Sequence, residues 1–263
     1  MNFSTPTTAA APKIVPARTN KGDGEGVARD AGTAEVMDMW NSSIGIKLIV
    51  AVTGCLLLLF VIGHMVGNLQ IFLGQEALNT YAEKLRAIPA LLWVVRLGLL
   101  AIALVHGVLT IYLALQNNKA RPAPYRRKEP IKATLSSRMT VVSGLVILAF
   151  ILYHLMHFTW RVTNPEYSAL ADTQGRFDVY SMVILSFQNL YVSAAYVVAM
   201  LLLWYHLNHG VASVFQTLGW NTPRTRPLFE RLAFVVATIV VAGNISIPVS
   251  ILLGLVKLPT GGM

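Results

Sequence analysis

The stretch 201-LLLWYHLNHGVASVFQTLGW-220 places His206 and His209 three residues apart in a run that is otherwise largely apolar. A membrane-spanning helix needs about 20 mostly apolar residues, and this run continues such a segment from upstream. An ionisable side chain at that depth is costly and marks a functional site by default. The run therefore poses fold and function together, as a membrane helix that carries imidazoles.

The same character extends outward along the chain. Its 263 residues are 55% hydrophobic and 13% charged, with a mean hydropathy of +0.58. That is too apolar for a soluble domain of this length and suits a multi-span membrane protein. Five segments qualify as spans, at about residues 44–72, 88–115, 139–160, 183–207 and 232–256. The last carries no charge from Leu232 to Val256, and membrane helices tolerate its interruptions, Asn244 and Pro248. The one cysteine, Cys55, lies in the first span, so neither a disulfide framework nor a thiol-ligated cluster is expected. Residues 1–40 are rich in Thr, Ala, Pro and Gly and show no signal-peptide pattern. They read as a disordered cytoplasmic tail ahead of a five-helix transmembrane domain at 41–258.

Orientation follows Lys and Arg. With the N-terminus in the cytoplasm, 15 of the 21 basic residues fall on the cytoplasmic side, many of them between Lys119 and Arg138. The expected topology is N-in and C-out. The net charge of +9 then faces anionic lipid or an acidic partner, and no nucleic acid is needed to account for it.

All six histidines fall within or at the ends of the first four spans: His64, His106, His154, His157, His206 and His209. With alternating helix direction, His64 and His154 lie toward the outer surface, while His106 and His206 lie toward the inner. Two facing imidazoles across a bundle core make the axial pair of a low-spin b-type haem. The expected fold is therefore all-α: five transmembrane helices, the first four enclosing two stacked haems. Gly54 precedes His64 by ten residues, and Gly144 precedes His154 by ten. Ten helical residues span about 15 Å, which sets both glycines near the inner histidine level, where they let the backbone approach a macrocycle.

The order and spacing of several stretches resemble a known family. They include "WNSSIGIKLIVAVTGCLLLLFVIGHMVGNLQIFLG", "ALNTYAEKL", "LLWVVRLGLLAIALVHGVLTIYLAL", "SSRMTVVSGLVILAFILYHLMHFTW" and "YHLNHGVASVFQTLGWNTPR". Over about residues 40 to 255 the chain resembles the cytochrome b subunit of succinate dehydrogenases and fumarate reductases, in the single-polypeptide, five-helix, two-haem branch. The resemblance implies a bacterial inner-membrane anchor that binds two haems b. It implies docking of a flavoprotein and an iron–sulfur subunit on the cytoplasmic face, and electron exchange with a quinone, commonly menaquinone. The family pattern pairs helices one and three for the outer haem and two and four for the inner. It places His206 at the ligand position, with His209 at a variable one, and His154 as ligand, with His157 additional.

In that reading His157 and His209 bond a haem propionate, a quinone oxygen or a nearby carbonyl, and a purely structural role is an equal alternative. His157 paired with His64 is a further alternative. Haem propionates want cations or hydroxyls. Ser42, Ser43, Lys47 and Arg138 are available on the inner side, and Arg96 and Arg161 on the outer, although interfacial snorkelling accounts for them too. Glu76 and Glu83, in the first outer loop, are candidates for handling quinone protons. Two other readings stay open. One is a two-haem cytochrome b serving a hydrogenase or formate dehydrogenase. The other is a haem-free transporter, for which no clear internal repeat is evident.

Overall fold

Hydrocarbon offers backbone N–H and C=O groups no partners, so long apolar runs fold as helices that satisfy themselves. The computed structural model describes residues 42–119 and 135–259, with side chains for 42–117 and 140–259. Among the described residues there are seven α-helices and no strand. They are α1 (Ser43–Asn68, continued by a 3-10 turn, Leu69–Leu73), α2 (Gln75–Arg86) and α3 (Pro89–Lys119). There follow α4 (Leu135–His154, continued by a π turn, Leu155–Thr159), α5 (Val179–Phe187), α6 (Leu190–Thr217) and α7 (Arg226–Leu252).

Five of these supply stretches long and apolar enough to cross a membrane: Ser43–Leu73, Pro89–Asn117, Thr140–Thr159, Leu190–Thr217 and Arg226–Leu252. The chain is built as a multi-pass membrane protein. It divides between Met39 and Trp40, and the tail expected at 1–40 lies outside the described residues.

The ends of the helices explain where hydropathy misplaces them. The fourth span was expected at 183–207 but runs over Leu190–Thr217. Asn189 caps α6, its side chain accepting from the N–H groups of Tyr191 and Val192 at 2.9 and 3.3 Å. The apolar residues before it belong to a separate short helix, α5, and a hydropathy window cannot see the break between them. At the other end the helix runs on past Leu207 and stops just before Gly219, which takes a left-handed φ of 75°. The connection between the first two spans is likewise mostly helix, α2 rather than irregular chain.

α1 packs on α3 and α6, α4 packs on α6, and α7 lies against α6 and α1. The helices carrying the histidines thus form one group, flanked by α7. Small residues let α7 approach closely: Ala233 and Ala237 are fully buried, and Gly243 meets the Met65 side chain of α1. Close packing of small residues is the usual source of helix association where no hydrophobic drive exists between helices.

One end of the bundle, the capped face, is closed by α2, the 160–178 connection and α5. A polar network ties them together. Arg176 pairs with Glu76 at 2.7 Å and Asp172 at 2.8 Å. Asn79, 1% exposed, donates to Asp172 and Asp178 and accepts from the Tyr180 N–H. Gln75 also donates to Asp178, at 2.7 Å. Burial alone pushes Asp172 up, but donors from Arg176, Asn79 and two backbone N–H groups outweigh it and hold its carboxyl at about 2.

Removing the hub of this network leaves two carboxylates short of donors. Asn79→Leu is expected to cost about 3 kcal/mol, read as a lower melting temperature in detergent. Asp172 is depressed in the folded state, so its contribution is complete above the ordinary carboxyl value near 4. It is lost as pH falls from there toward about 2. Protection of the α2 amides, expressed relative to the intrinsic exchange rate at each pH, is expected to hold down to about pH 4 and to fall below it.

Candidate functional site

Two pairs of imidazoles meet between these helices; His106, His154 and His206 are half-buried, while His64 is exposed on α1. His64 on α1 and His154 on α4 have ring centroids 5.7 Å apart at 88°. His106 on α3 and His206 on α6 have centroids 6.4 Å apart at 69°. Each pair joins helices that are not consecutive in the chain. The His64/His154 pair lies toward the capped face. His106 and His206 each stand eleven residues before the end of their span, at Asn117 and Thr217, and so lie deeper than an end-of-span position.

The glycines register the two levels. A Cβ on Gly54 would stand 3.1 Å from the His106 ring, and one on Gly144 would stand 3.4 Å from the His206 ring. Each glycine thus sits beside the imidazole of another helix. Since both are ten residues from His64 or His154, the levels are about 15 Å apart along the helices. The space left by the missing Cβ is taken by an imidazole edge.

The residue before each glycine carries a hydroxyl toward the same ring. Thr53 Oγ donates to the Ile49 carbonyl at 2.7 Å, which leaves a lone pair facing His106 Nδ1 at 3.1 Å. Ser143 Oγ donates to the Thr140 carbonyl at 3.1 Å and stands 3.5 Å from His206 Nδ1. With its proton given to its own helix, each hydroxyl is placed to accept from Nδ1–H, the tautomer that leaves the Nε2 lone pair free.

The capped-face pair is held differently. Phe60 stacks on His64 at 5.5 Å, and Phe150 lies 6.1 Å from His154. Tyr196 of α6 brings its hydroxyl 3.4 Å from His154 Nδ1 and 3.0 Å from His157 Nδ1. His157 is 1% exposed and sits in the π turn, against Phe158 at 4.2 Å. Its rings of contact are Tyr153, Phe158 and Tyr196. The structure thus brings His64 to His154, and His157 to Tyr196.

The other expected residues are more scattered. His209 is half-buried, three residues beyond His206. Ser42 caps α1 through the Gly45 N–H, while Ser43 and Lys47 are exposed on its first turns. The Arg138 side chain lies outside the described residues. Arg161, in a left-handed conformation at the end of the π turn, and Arg86 both stand over the Phe177 ring, at 4.9 and 4.8 Å. Arg96 stands over Trp93 at 5.4 Å. Glu76 is tied to Arg176, Thr80 and Gln174, and the Arg176 hydrogen bond holds its carboxyl below the usual range. Glu83 is exposed.

Sequence reading passed over Thr53, Ser143, Phe60, Phe150 and Tyr196. A signal for the first four exists. Residues 53–64, TGCLLLLFVIGH, and 143–154, SGLVILAFILYH, match at the hydroxyl, the glycine, the phenylalanine and the histidine. This is the short internal repeat that a comparison of whole hairpins does not reveal. Comparison with family models, with curated proteins and with solved structures finds no match.

The tautomer argument can be checked on the chain itself. Nitrogen-15 spectra of histidine-labelled protein are expected to show His106 and His206 protonated at Nδ1. Thr53→Val is expected to let His106 populate both tautomers while leaving His206 unchanged.

Proposed function

We propose that each histidine pair holds one b-type haem, and that the chain is the membrane-anchor cytochrome b subunit of a succinate:quinone oxidoreductase. The observation that carries the first part is the matched pairing of neutral imidazoles at two levels. Two metal–nitrogen bonds of about 2 Å each, plus two ring radii, put centroids roughly 6 Å apart, in keeping with 5.7 and 6.4 Å. A ligating histidine also needs its other nitrogen bonded, which Thr53, Ser143 and Tyr196 provide for three of the four. The second part rests on the resemblance of residues 40 to 255 to that family.

When bound, the haems supply two one-electron carriers, one above the other. The chain's own residues do the rest. His64 with His154, and His106 with His206, would hold the two irons through Nε2. Thr53 and Ser143 fix two rings in one tautomer, and Gly54 and Gly144 make room for them. The partners in this reading are a flavoprotein and an iron–sulfur subunit on the cytoplasmic face of a bacterial inner membrane, with the N-terminus on that side. The quinone is menaquinone. Quinone protons fall to Glu83, because Glu76 is committed to Arg176.

Single substitutions test the pairing. His154→Ala and His206→Ala are each expected to remove one haem of two, and each to remove a different one by its spectrum. Loss of both haems from either variant, or of neither, would count against two separate pairs. Purification of the tagged chain from its native membrane is expected to bring down a flavoprotein and an iron–sulfur protein. Recovery with a hydrogenase or a formate dehydrogenase would instead favour the other cytochrome reading. Glu83→Gln is expected to slow quinone-linked turnover about 100-fold with both haems retained.

A further inference from the structure

Tyr196 sits where three constraints meet. It is 7% exposed, and its ring is in contact with Phe150, Tyr153, His154, His157, Phe158 and Phe187. Inside that cage its hydroxyl has two neighbours, the Nδ1 atoms of His157 at 3.0 Å and His154 at 3.4 Å. A phenol has one proton to give. It can donate to one imidazole only, and it must accept from the other. The π turn that carries His157 is itself an uncommon element, one often found at functional sites. Here it buries a histidine behind the tyrosine, away from its partner level.

Resting on the two-haem reading, we infer that Tyr196 is a positioning residue for His154, and that His157 is the acceptor that orients Tyr196. The direction follows from the chemistry of ligation. His154 offers Nε2 toward His64, so its Nδ1 carries a proton and donates to the Tyr196 oxygen. The Tyr196 proton then goes to Nδ1 of His157, whose own proton sits on Nε2. A hydrogen bond from Nδ1–H raises the basicity of the ligating nitrogen and so favours the oxidised metal. His64 lacks such support: among the described residues its ring meets Phe60 and has no hydrogen-bond partner. The capped-face pair is therefore supported on one side, whereas the deeper pair has a hydroxyl on both.

The test is a redox titration of the haem-loaded complex, with the two haems resolved spectrally and counted first. Tyr196→Phe keeps the ring and removes only the hydroxyl. It is expected to shift the oxidised-to-reduced ratio of the His64/His154 haem several-fold toward reduced at a fixed potential, with the other haem unmoved. Thr53→Val is expected to do the converse, moving only the His106/His206 haem. His157→Leu is expected to shift the same haem as Tyr196→Phe, and His157→Gln, which keeps an acceptor, to restore it.

Should Tyr196→Phe lose that haem, His157→Leu carries the reading, because it leaves the tyrosine ring in place. A wild-type complex with no haem would overturn the two-haem reading. Two haems with neither moved by the Tyr196 and His157 substitutions, or both moved alike, would overturn this inference alone.

Discussion

An imidazole placed in hydrocarbon is costly unless its ring nitrogens find partners from the protein or from something the protein binds, since water is not there to serve. Much of the arrangement of α1, α3, α4 and α6 can be understood from that constraint. Four of the six histidines meet in two pairs, and in three of the four an oxygen from a side chain stands near Nδ1. Two of those oxygens are hydroxyls that donate to their own helix and so are placed to accept from the ring. In each pair the two rings stand within 6.4 Å of each other, centroid to centroid.

The same short pattern on two helices generates the two levels. Hydroxyl, glycine and, ten residues after the glycine, histidine occur on α1 and again on α4. The histidine of each copy serves the level near the capped face, and the hydroxyl and glycine serve the histidine of a different helix at the deeper level. One helix therefore contributes to both levels, and the spacing between them is fixed by helical rise. Against this regularity the π turn is the departure. It brings in His157, which has no counterpart after His64, and with it Tyr196.

Much of this was legible before any coordinates. Composition and hydropathy located five spans, because a spanning helix declares itself by length and apolarity alone. Sorting histidines by depth and helix direction also named the two pairs that the structure brings together. What stayed hidden was set by polar side chains acting across helices. Asn189 breaks α5 from α6 with two hydrogen bonds, which no hydropathy average registers. The helical cap over one face depends on Asn79, Asp172, Asp178 and Arg176, residues that read as an ordinary polar loop in sequence. Tyr196 could not be singled out, since its importance lies in a hydroxyl aimed at two rings on another helix.

The measurement that bears most directly on the whole account is a reduced-minus-oxidised visible spectrum of the purified wild-type chain, with haem counted per polypeptide. The account predicts two haems b per chain, both low-spin, as two imidazole ligands require. No haem, a single haem, or a high-spin spectrum with one ligand position open would contradict it.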